Sequence, residues 1–304
     1  MYDLIIIGSG AAGLSAAVYG VRAGLKLLVL EQNPMSGGQI LNTYEVDNYL
    51  GLPGISGFDM GKCFRDHADK LGVEFAEGRV KEIIDGGEVK TVCTRKADYE
   101  ARAVILASGA QHAQLGVPGE EELSGMGVSY CATCDGAFFK GKTVAVVGGG
   151  DVALEDAIYL ARTCEKVWLI HRRDELRGAV VLQEELRALP NVEILYSHTV
   201  EKIQGGDSVE SLLIKDKKTG AERELPVSGV FIAVGIQPNS GLVQGLVNCD
   251  EAGYVLAGED GASSCPGIYV AGDIRRKPLR QVVTAVADGA NAAVAAGEFI
   301  RRLS

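Results

Sequence analysis

No apolar run in the sequence reaches the ~18 residues that a membrane-spanning helix needs. The run at 4–7, Leu-Ile-Ile-Ile, is short, follows Asp3 and stops at Gly8, so it reads as a strand and not as a signal peptide. An excess of positive charge is also missing. Forty acidic residues against 30 basic ones leave a net charge of −10, which argues against nucleic acid or an anionic membrane as a general partner. A secreted disulfide framework is missing too: seven Cys is an odd number, and Cys63, Cys93, Cys164, Cys249 and Cys265 are scattered. Those five read as small hydrophobes or surface thiols. Only one Cys-x-x-Cys exists, with His112 the one histidine near it, so a four-ligand structural zinc site lacks ligands and no metal is expected. The expected location is the cytoplasm.

Glycine is abundant. Forty Gly in 304 residues suggest many tight turns and close backbone approaches, and the length allows two domains with separate cores. A strand at 2–7 runs into Gly8-Ser9-Gly10-Ala11-Ala12-Gly13, then an Ala-rich helix over 14–23 capped by Gly24, then a strand at 27–30 ending on Glu31. This order of strand, GxGxxG, helix, strand and acid is a dinucleotide-binding context. The glycines make the turn and let the backbone approach a pyrophosphate, while the helix start offers unpaired N–H groups. Glu31 can accept hydrogen bonds from both ribose hydroxyls and repels a 2′-phosphate, which suits FAD or NAD. Short strands follow at 73–75, 80–84 and 89–94, and a buried strand at 103–107 ends on Ser108-Gly109.

The pattern then restarts. A strand at 143–147 leads into Gly148-Gly149-Gly150-Asp151-Val152-Ala153, a helix to about 161 and a strand at 167–170. Strands at 192–194, 212–214 and 230–234, the last ending on Gly235, complete a second copy. Ala153 takes the third glycine's place, which the motif tolerates because Ala is small. At the position of Glu31 stands His171, followed by Arg172, Arg173 and, further on, Arg177. Guanidinium groups there suit a 2′-phosphate, so the second nucleotide reads as NADPH. The tail after 240 is surplus to the second copy: a hairpin-like stretch at 253–254, a strand at 268–271 ending on Gly272-Asp273, and a helix over 281–301. Periodicity does not say which domain the tail joins.

Between the copies lies Cys131-Ala132-Thr133-Cys134-Asp135-Gly136. Two thiols at this spacing can close and open a redox disulfide. Asp135 either shuttles a proton to the leaving thiolate or is the turn residue of an Asp-Gly pair. Phe138-Phe139 is either an exposed docking patch or core. Two nicotinamides would give no onward route, whereas a flavin accepts a hydride and passes two electrons to a disulfide.

These motifs, with Gly37-Gly38-Gln39, the 45–49 stretch Glu-Val-Asp-Asn-Tyr, Asp174 after the arginines, Ala271-Gly272-Asp273 and Arg280-Gln281-Val282, closely resemble the bacterial low-molecular-weight thioredoxin reductases over nearly the whole chain. Ala107-Ser108-Gly109 stands where that family more often has Ala-Thr-Gly, a change of one methyl. The resemblance implies an α/β fold of two Rossmann-like, three-layer nucleotide-binding domains: an FAD domain over 1–113 and 242–304, made discontinuous by the tail, and an NADPH domain over 114–241 carrying the dithiol. It implies FAD contacts from Gly8, Ser9, Gly10, Ala11, Ala12, Gly13, Glu31, Gly38, Gln39, Asn48, the backbone of Val80, Ser108, Gly109, Asp273, Arg280, Gln281 and Val282. It implies NADPH contacts from Gly148, Gly150, Asp151, Val152, Ala153, His171, Arg172, Arg173, Arg177 and Gly235. Cys134 would face the flavin, Cys131 would attack the thioredoxin disulfide, and Asp135 would be the acid. A homodimer through the FAD domains and hinges near 114–119 and 237–241 are also implied. The alternatives on the same fold are a reductase for another dithiol partner, such as a peroxiredoxin-system carrier, a thiol oxidase, and a ferredoxin-fed reductase. The first normally has an extra N-terminal dithiol domain, and the arginines disfavour the other two. A flavin-binding redox sensor without turnover is the non-enzymatic alternative.

Overall fold

The apolar runs become the central strands of two parallel sheets in a computed structural model that describes residues 1–43, 45–46 and 48–303. Asp47 of the 45–49 motif lies outside the described residues. In the first sheet the spatial order is Glu74–Glu77, Leu27–Glu31, Tyr2–Ile7 and Asp98–Leu106, with Ile268–Val270 parallel on the far side of Asp98–Leu106. The antiparallel strands Lys90–Thr94 and Val80–Asp85 continue from Asp98–Leu106. Both faces of Tyr2–Ile7 are covered, which is why its sequence is continuously apolar and does not alternate. Leu4 and Ile6 pack with Leu14, Ala16, Ala17 and Ala292 on one side. Ile5 and Ile7 pack with Val80, Ile83, Val92 and Val243 on the other.

The helices Ala11–Arg22 and Val282–Leu303 cover the first face. Their small residues let the backbones meet: a Cβ on Gly289 would lie 2.0 Å from the carbonyl oxygen of Ala12. Alanine at 292, 293 and 296 favours the helix and keeps the rest of the seam close. Through this helix and strand Ile268–Val270 the tail completes the first unit, which comprises Met1–Gln111 and Gln237–Ser304 and is therefore discontinuous.

The second unit, His112–Ile236, repeats the order strand for strand: Val192–Tyr196, Lys166–His171, Thr143–Gly148, Gly229–Ala233 and Val128–Ser129. Val144 and Val146 pack with Ala153, Leu154, Ala157 and Ile158 of helix Asp151–Ala161. Ala145 and Val147 face Val200, Ile203, Leu212 and Ile214 of an antiparallel layer, His198–Gly205, Val209–Asp216 and Glu222–Pro226. The fifth strand has opposite origins in the two sheets. In the first unit it comes from the tail, and in the second it precedes the nucleotide loop in the chain.

The unit boundaries fall at 111/112 and 236/237, against 113/114 and 241/242 expected from the sequence. The 253–254 stretch forms a tight reversal: Gly253 N–H donates to Asp250 O at 2.9 Å, and Cys249 bridges Val255 antiparallel. Of the scattered cysteines, Cys164 and Cys265 are buried, Cys63 is exposed, and Cys93 and Cys249 are partly covered. Among the described residues no helix is long and apolar enough to cross a membrane.

Candidate active site and nucleotide loops

Helix Ala11–Arg22 starts at Gly10 with no side-chain cap, so its first N–H groups are open to an anion. Gly8 turns the chain at φ +102°, a conformation that favours glycine, and Gly13 must be glycine because a Cβ there would lie 1.9 Å from Gly8 O. Gly10 is different. Its φ of −73° suits any residue, and an added Cβ would meet nothing nearer than 3.9 Å. The fold itself does not require glycine at 10, so the space it leaves fits a pyrophosphate approaching the backbone. Ser9 N–H and Oγ–H both donate to Glu31 Oε2 at 2.8 Å, and Asn33 N–H donates to Glu31 Oε1 at 2.9 Å. The carboxylate therefore ties the loop to the second strand and still has lone pairs for a ribose.

Several other residues implied by the resemblance converge on this helix start. Gly37 N–H donates to Ser9 O at 2.9 Å, and Gly38, at φ +62°, would place a Cβ 3.3 Å from Gly10 Cα. Val282 packs with Ala11, Ile40 and Val46. Asn48 Nδ2 donates to Gln281 Oε1 at 3.0 Å, while Gln39 Nε2 donates to Ala110 O. Gly272 abuts Ala12, with an added Cβ 3.0 Å from its side chain. Ser108 Oγ–H donates to Asn239 O at 2.8 Å, and Asn239 N–H donates to Gly109 O at 3.0 Å. Val80 opens its strand and is buried. Asp273 Oδ1 and Arg280 Nε are buried without a hydrogen-bond partner among the described residues. Lys277 Nζ lies 3.2 Å from that Asp273 oxygen, but not in hydrogen-bonding geometry. Orphaned polar atoms of this kind need a partner, and a phosphorylated, polyhydroxylated cofactor supplies one.

Beneath them lies a charge network the sequence did not reveal. Asp288, on helix Val282–Leu303, is 6% exposed and accepts from Gly272 N at 3.1 Å, Arg275 Nη2 at 2.7 Å and Lys277 Nζ at 3.0 Å. It anchors the segment that carries Asp273.

The second loop is built differently. Gly148 does not take a positive φ. A Cβ on Gly148 would lie 2.4 Å from Ala233 O and 2.5 Å from the Ala153 Cβ, so the first motif position must be glycine here as it is at Gly8, while Ala153 shows that the third need not be. Gly150 has open space around it and starts helix Asp151–Ala161 without a side-chain cap, again leaving N–H groups for an anion. Asp151 accepts Ala179 N–H at 2.7 Å, and Arg177 N–H donates to Gly149 O at 2.7 Å, which docks the arginine loop on the glycine loop. Val152 is 53% exposed. Arg172, Arg173 and Arg177 are exposed, and Arg173 and Arg177 line a shallow depression shared with Asp174 and Glu175. Asp174 pins the loop through Ser197 and, at 2.9 Å, Lys218. His171 does not share the arginines' exposure. It is 4% exposed, its Nε2 lies 3.0 Å from Glu175 O, and its ring fills the space a Gly149 side chain would need. Burial lowers its pKa, and nearby backbone hydrogen bonds only partly oppose this. Gly235, at φ +137°, accepts Ala113 N–H at 2.9 Å.

Cys131 and Cys134 form a closed disulfide at the start of the short helix Ala132–Asp135. Asp135 is half-buried, and burial raises its pKa against the lowering effect of a hydrogen bond from Ser129. Ser129 Oγ–H donates to Asp135 Oδ2 at 2.6 Å and accepts Cys131 N–H at 3.1 Å, so one buried hydroxyl links the acid to the first cysteine. Only its place two residues before Cys131 marks it in the sequence. The two phenylalanines divide between the alternatives: Phe139 is buried edge-on against Phe231 at 5.3 Å, and Phe138 is 37% exposed. In the expected hinge at 114–119, buried Glu120 accepts the N–H groups of Leu115, Gly116 and Val117 together with the Tyr130 hydroxyl at 2.9 Å.

This arrangement has close relatives. Residues 2–289 match the pyridine nucleotide-disulphide oxidoreductase family. The thioredoxin reductase of Listeria innocua serovar 6a is 46% identical over 304 residues, covering all of this chain and 95% of that protein. That of Bacillus subtilis strain 168 is 45% identical over 304 residues, covering all of this chain and 96% of its own length. The crystal structure of thioredoxin reductase from Streptococcus pyogenes MGAS5005 aligns with a TM-score of 0.94 at 43% identity over 99% of each chain. With its two nucleotide folds and its closed dithiol turn, the chain belongs to the pyridine nucleotide-disulphide oxidoreductase family, among the bacterial thioredoxin reductases.

Proposed function

We propose that this chain carries electrons from NADPH through FAD to the Cys131–Cys134 disulfide and from there to thioredoxin. The observation that carries this reading is the closed dithiol turn, held with a raised-pKa carboxyl by one buried serine. Bound FAD would supply a two-electron relay between nicotinamide and disulfide. The residues around the first loop fit that cofactor: Gly10 leaves room for its pyrophosphate, Glu31 would accept from its ribose, and Asp273 Oδ1 and Arg280 Nε are buried without a hydrogen bond. The first unit is then the FAD domain and the second the NADPH domain.

Reduction breaks the S–S bond and leaves one thiol and one thiolate. The Cys131 thiolate then attacks a sulfur of the partner disulfide, forming a mixed disulfide and releasing one partner thiolate. Cys134 attacks Cys131 in turn, which closes the enzyme disulfide and frees the second partner sulfur. Asp135 supplies the proton that a leaving thiolate needs, and burial raises its pKa in the direction that favours carrying one. Exposed Phe138 beside the pair offers a contact for the docked protein. Dimerisation through the first unit and a cytoplasmic location complete the proposal.

The direct experiment is reduction of Ellman's reagent by the purified protein with and without thioredoxin, under NADPH and under NADH. Thioredoxin-dependent activity under NADPH alone is the expected result. Flavin reduction without thioredoxin-dependent turnover would transfer the function to another dithiol partner. Changing Arg172 and Arg173 together to alanine should reduce the preference for NADPH over NADH roughly 10- to 100-fold, the scale of lost charge-assisted hydrogen bonds. The ratio of kcat/KM for the two nucleotides measures this, and an unchanged ratio would return both arginines to the solvent face.

A further inference from the structure

Among the described residues Ser197 is the one non-glycine residue with a positive φ, at +56°. A residue with a Cβ adopts that left-handed conformation at a cost, and keeps it where its surroundings hold it. Ser197 is 5% exposed and lies between the strands Val192–Tyr196 and His198–Gly205, where the chain passes from the parallel sheet of the second unit to its antiparallel layer. All three of its polar groups are engaged. Its N–H donates to Arg173 O at 3.0 Å, its Oγ–H donates to Asp174 Oδ1, and its carbonyl accepts Lys217 N–H at 2.8 Å. The first two bonds hold the arginine loop. The third holds the turn that joins Val209–Asp216 to Glu222–Pro226, and that turn adds two contacts to the same loop. Lys217 Nζ donates to Arg172 O at 3.4 Å, and Lys218 Nζ pairs with Asp174 Oδ1 at 2.9 Å. Every one of these ties ends on backbone or on Asp174, so the side chains of Arg172 and Arg173 stay exposed. The Lys218–Asp174 pair is 64% and 62% exposed and is screened by water, which leaves the bonds of buried Ser197 as the firmer restraint.

We propose that Ser197 is a positioning residue for nucleotide specificity: it fixes the backbone under Arg172 and Arg173, so that their guanidinium groups are in place before a ribose 2′-phosphate arrives. This rests on the reading that these arginines receive the 2′-phosphate of NADPH. An arginine on a free loop loses backbone and side-chain freedom when it grips a phosphate. A loop that is already held loses less, and the difference appears as affinity for the phosphate alone. A nucleotide without the 2′-phosphate gives the pair nothing to grip, so its binding does not depend on Ser197. The hydroxyl carries no charge. Its effect is therefore separable from the electrostatic pull of the arginines and of Lys217 and Lys218, which any change of a charged residue would alter at the same time.

The test measures binding of adenosine 2′,5′-bisphosphate and of AMP to the full-length protein by titration calorimetry. The two probes differ only in the 2′-phosphate. Ser197→Gly is the variant, because glycine accepts the left-handed backbone, keeps both backbone bonds and removes only the hydroxyl. Its affinity for the bisphosphate should fall about 3- to 10-fold, the scale of one lost hydrogen bond, while its affinity for AMP stays at the wild-type value. In turnover, the ratio of kcat/KM for NADPH over NADH should fall by the same factor, through KM for NADPH and not through kcat. In a background with Arg172 and Arg173 both changed to alanine, Ser197→Gly should lower bisphosphate affinity no further, because the serine acts through those two residues. An unchanged bisphosphate affinity in Ser197→Gly would overturn the proposal. So would an equal loss for both probes, which is what a role in the fold alone would produce, or a full further loss in the alanine background. A wild type that binds both probes equally would overturn the NADPH reading and the proposal together, whereas a wild-type preference that Ser197→Gly leaves intact would overturn the proposal alone.

Discussion

Cys134→Ser should leave the bound flavin reducible by NADPH and lower thioredoxin turnover by at least about 10³-fold, the scale of loss when an essential covalent group is removed. The serine hydroxyl is nearly the size of the thiol, so the turn Ala132–Asp135 and the Ser129 links should persist. What disappears is the bond that receives the electrons: the observed disulfide joins these two residues, and among the described residues the other five cysteines are free. The remaining Cys131 can still attack a partner disulfide, but nothing resolves the resulting mixed disulfide. The variant should therefore accumulate a covalent adduct with thioredoxin that reductant releases. Anaerobic flavin bleaching and the Ellman's assay measure the two halves separately. Turnover at the wild-type rate would show that the pair is not the relay.

Asp288→Ala should destabilise the first unit by about 3–5 kcal/mol, the cost of leaving buried charges without their partner. Asp288 joins Arg275 and Lys277, whose side chains are 13% and 4% exposed. Removing it leaves Arg275 with only the carbonyl oxygens of Ala257 and Gly258, and Lys277 with Thr284 Oγ1 and Asp273, the remaining acid near it. The midpoint of thermal unfolding should fall by roughly 10 °C for a unit of this size. Calorimetry should show the loss in the transition of the first unit. Asp288→Asn, which keeps an acceptor for Gly272 N–H, should fall between wild type and alanine. The exposed pair Lys166–Glu193 is the contrast: its side chains are 37% and 53% exposed, and breaking it should cost less than about 1 kcal/mol. An unmoved midpoint in Asp288→Ala would mean that water replaces the carboxylate and the network is not closed.

What was legible in the sequence was local. Strand, glycine turn and helix follow one another within about twenty residues in each copy, so composition and spacing expose them. The 57–70 helix is hard to read from the sequence although Ser56 and Asp59 form a capping arrangement, with Asp59 N–H donating to Ser56 Oγ at 3.0 Å. Mixed charges within it hid its apolar stripe. Asp288 is illegible because its partners are tertiary: it serves a glycine sixteen residues away, on a different element. Ser129 bonds locally, to Cys131 and Asp135, but a serine two residues before a cysteine carries no motif. Register alone also misled in part. His171 occupies the position of Glu31 in the duplicated pattern, yet its ring packs under Gly149 while the arginines after it stay exposed.

The opposite origins of the fifth strands give the two halves different histories during synthesis. The second unit is one continuous stretch and can close as soon as it clears the ribosome. The first unit exposes Leu4, Ile6, Leu14 and Ala16 long before Val282–Leu303 exists to cover them. At the usual elongation rates of about 5–20 residues per second, that interval lasts on the order of fifteen to fifty-five seconds. During that time a half-built sheet with an uncovered apolar face must be kept from its neighbours. Moving the 268–303 segment to the front of the chain in a circular permutant would shorten the wait, and with it the demand on chaperones.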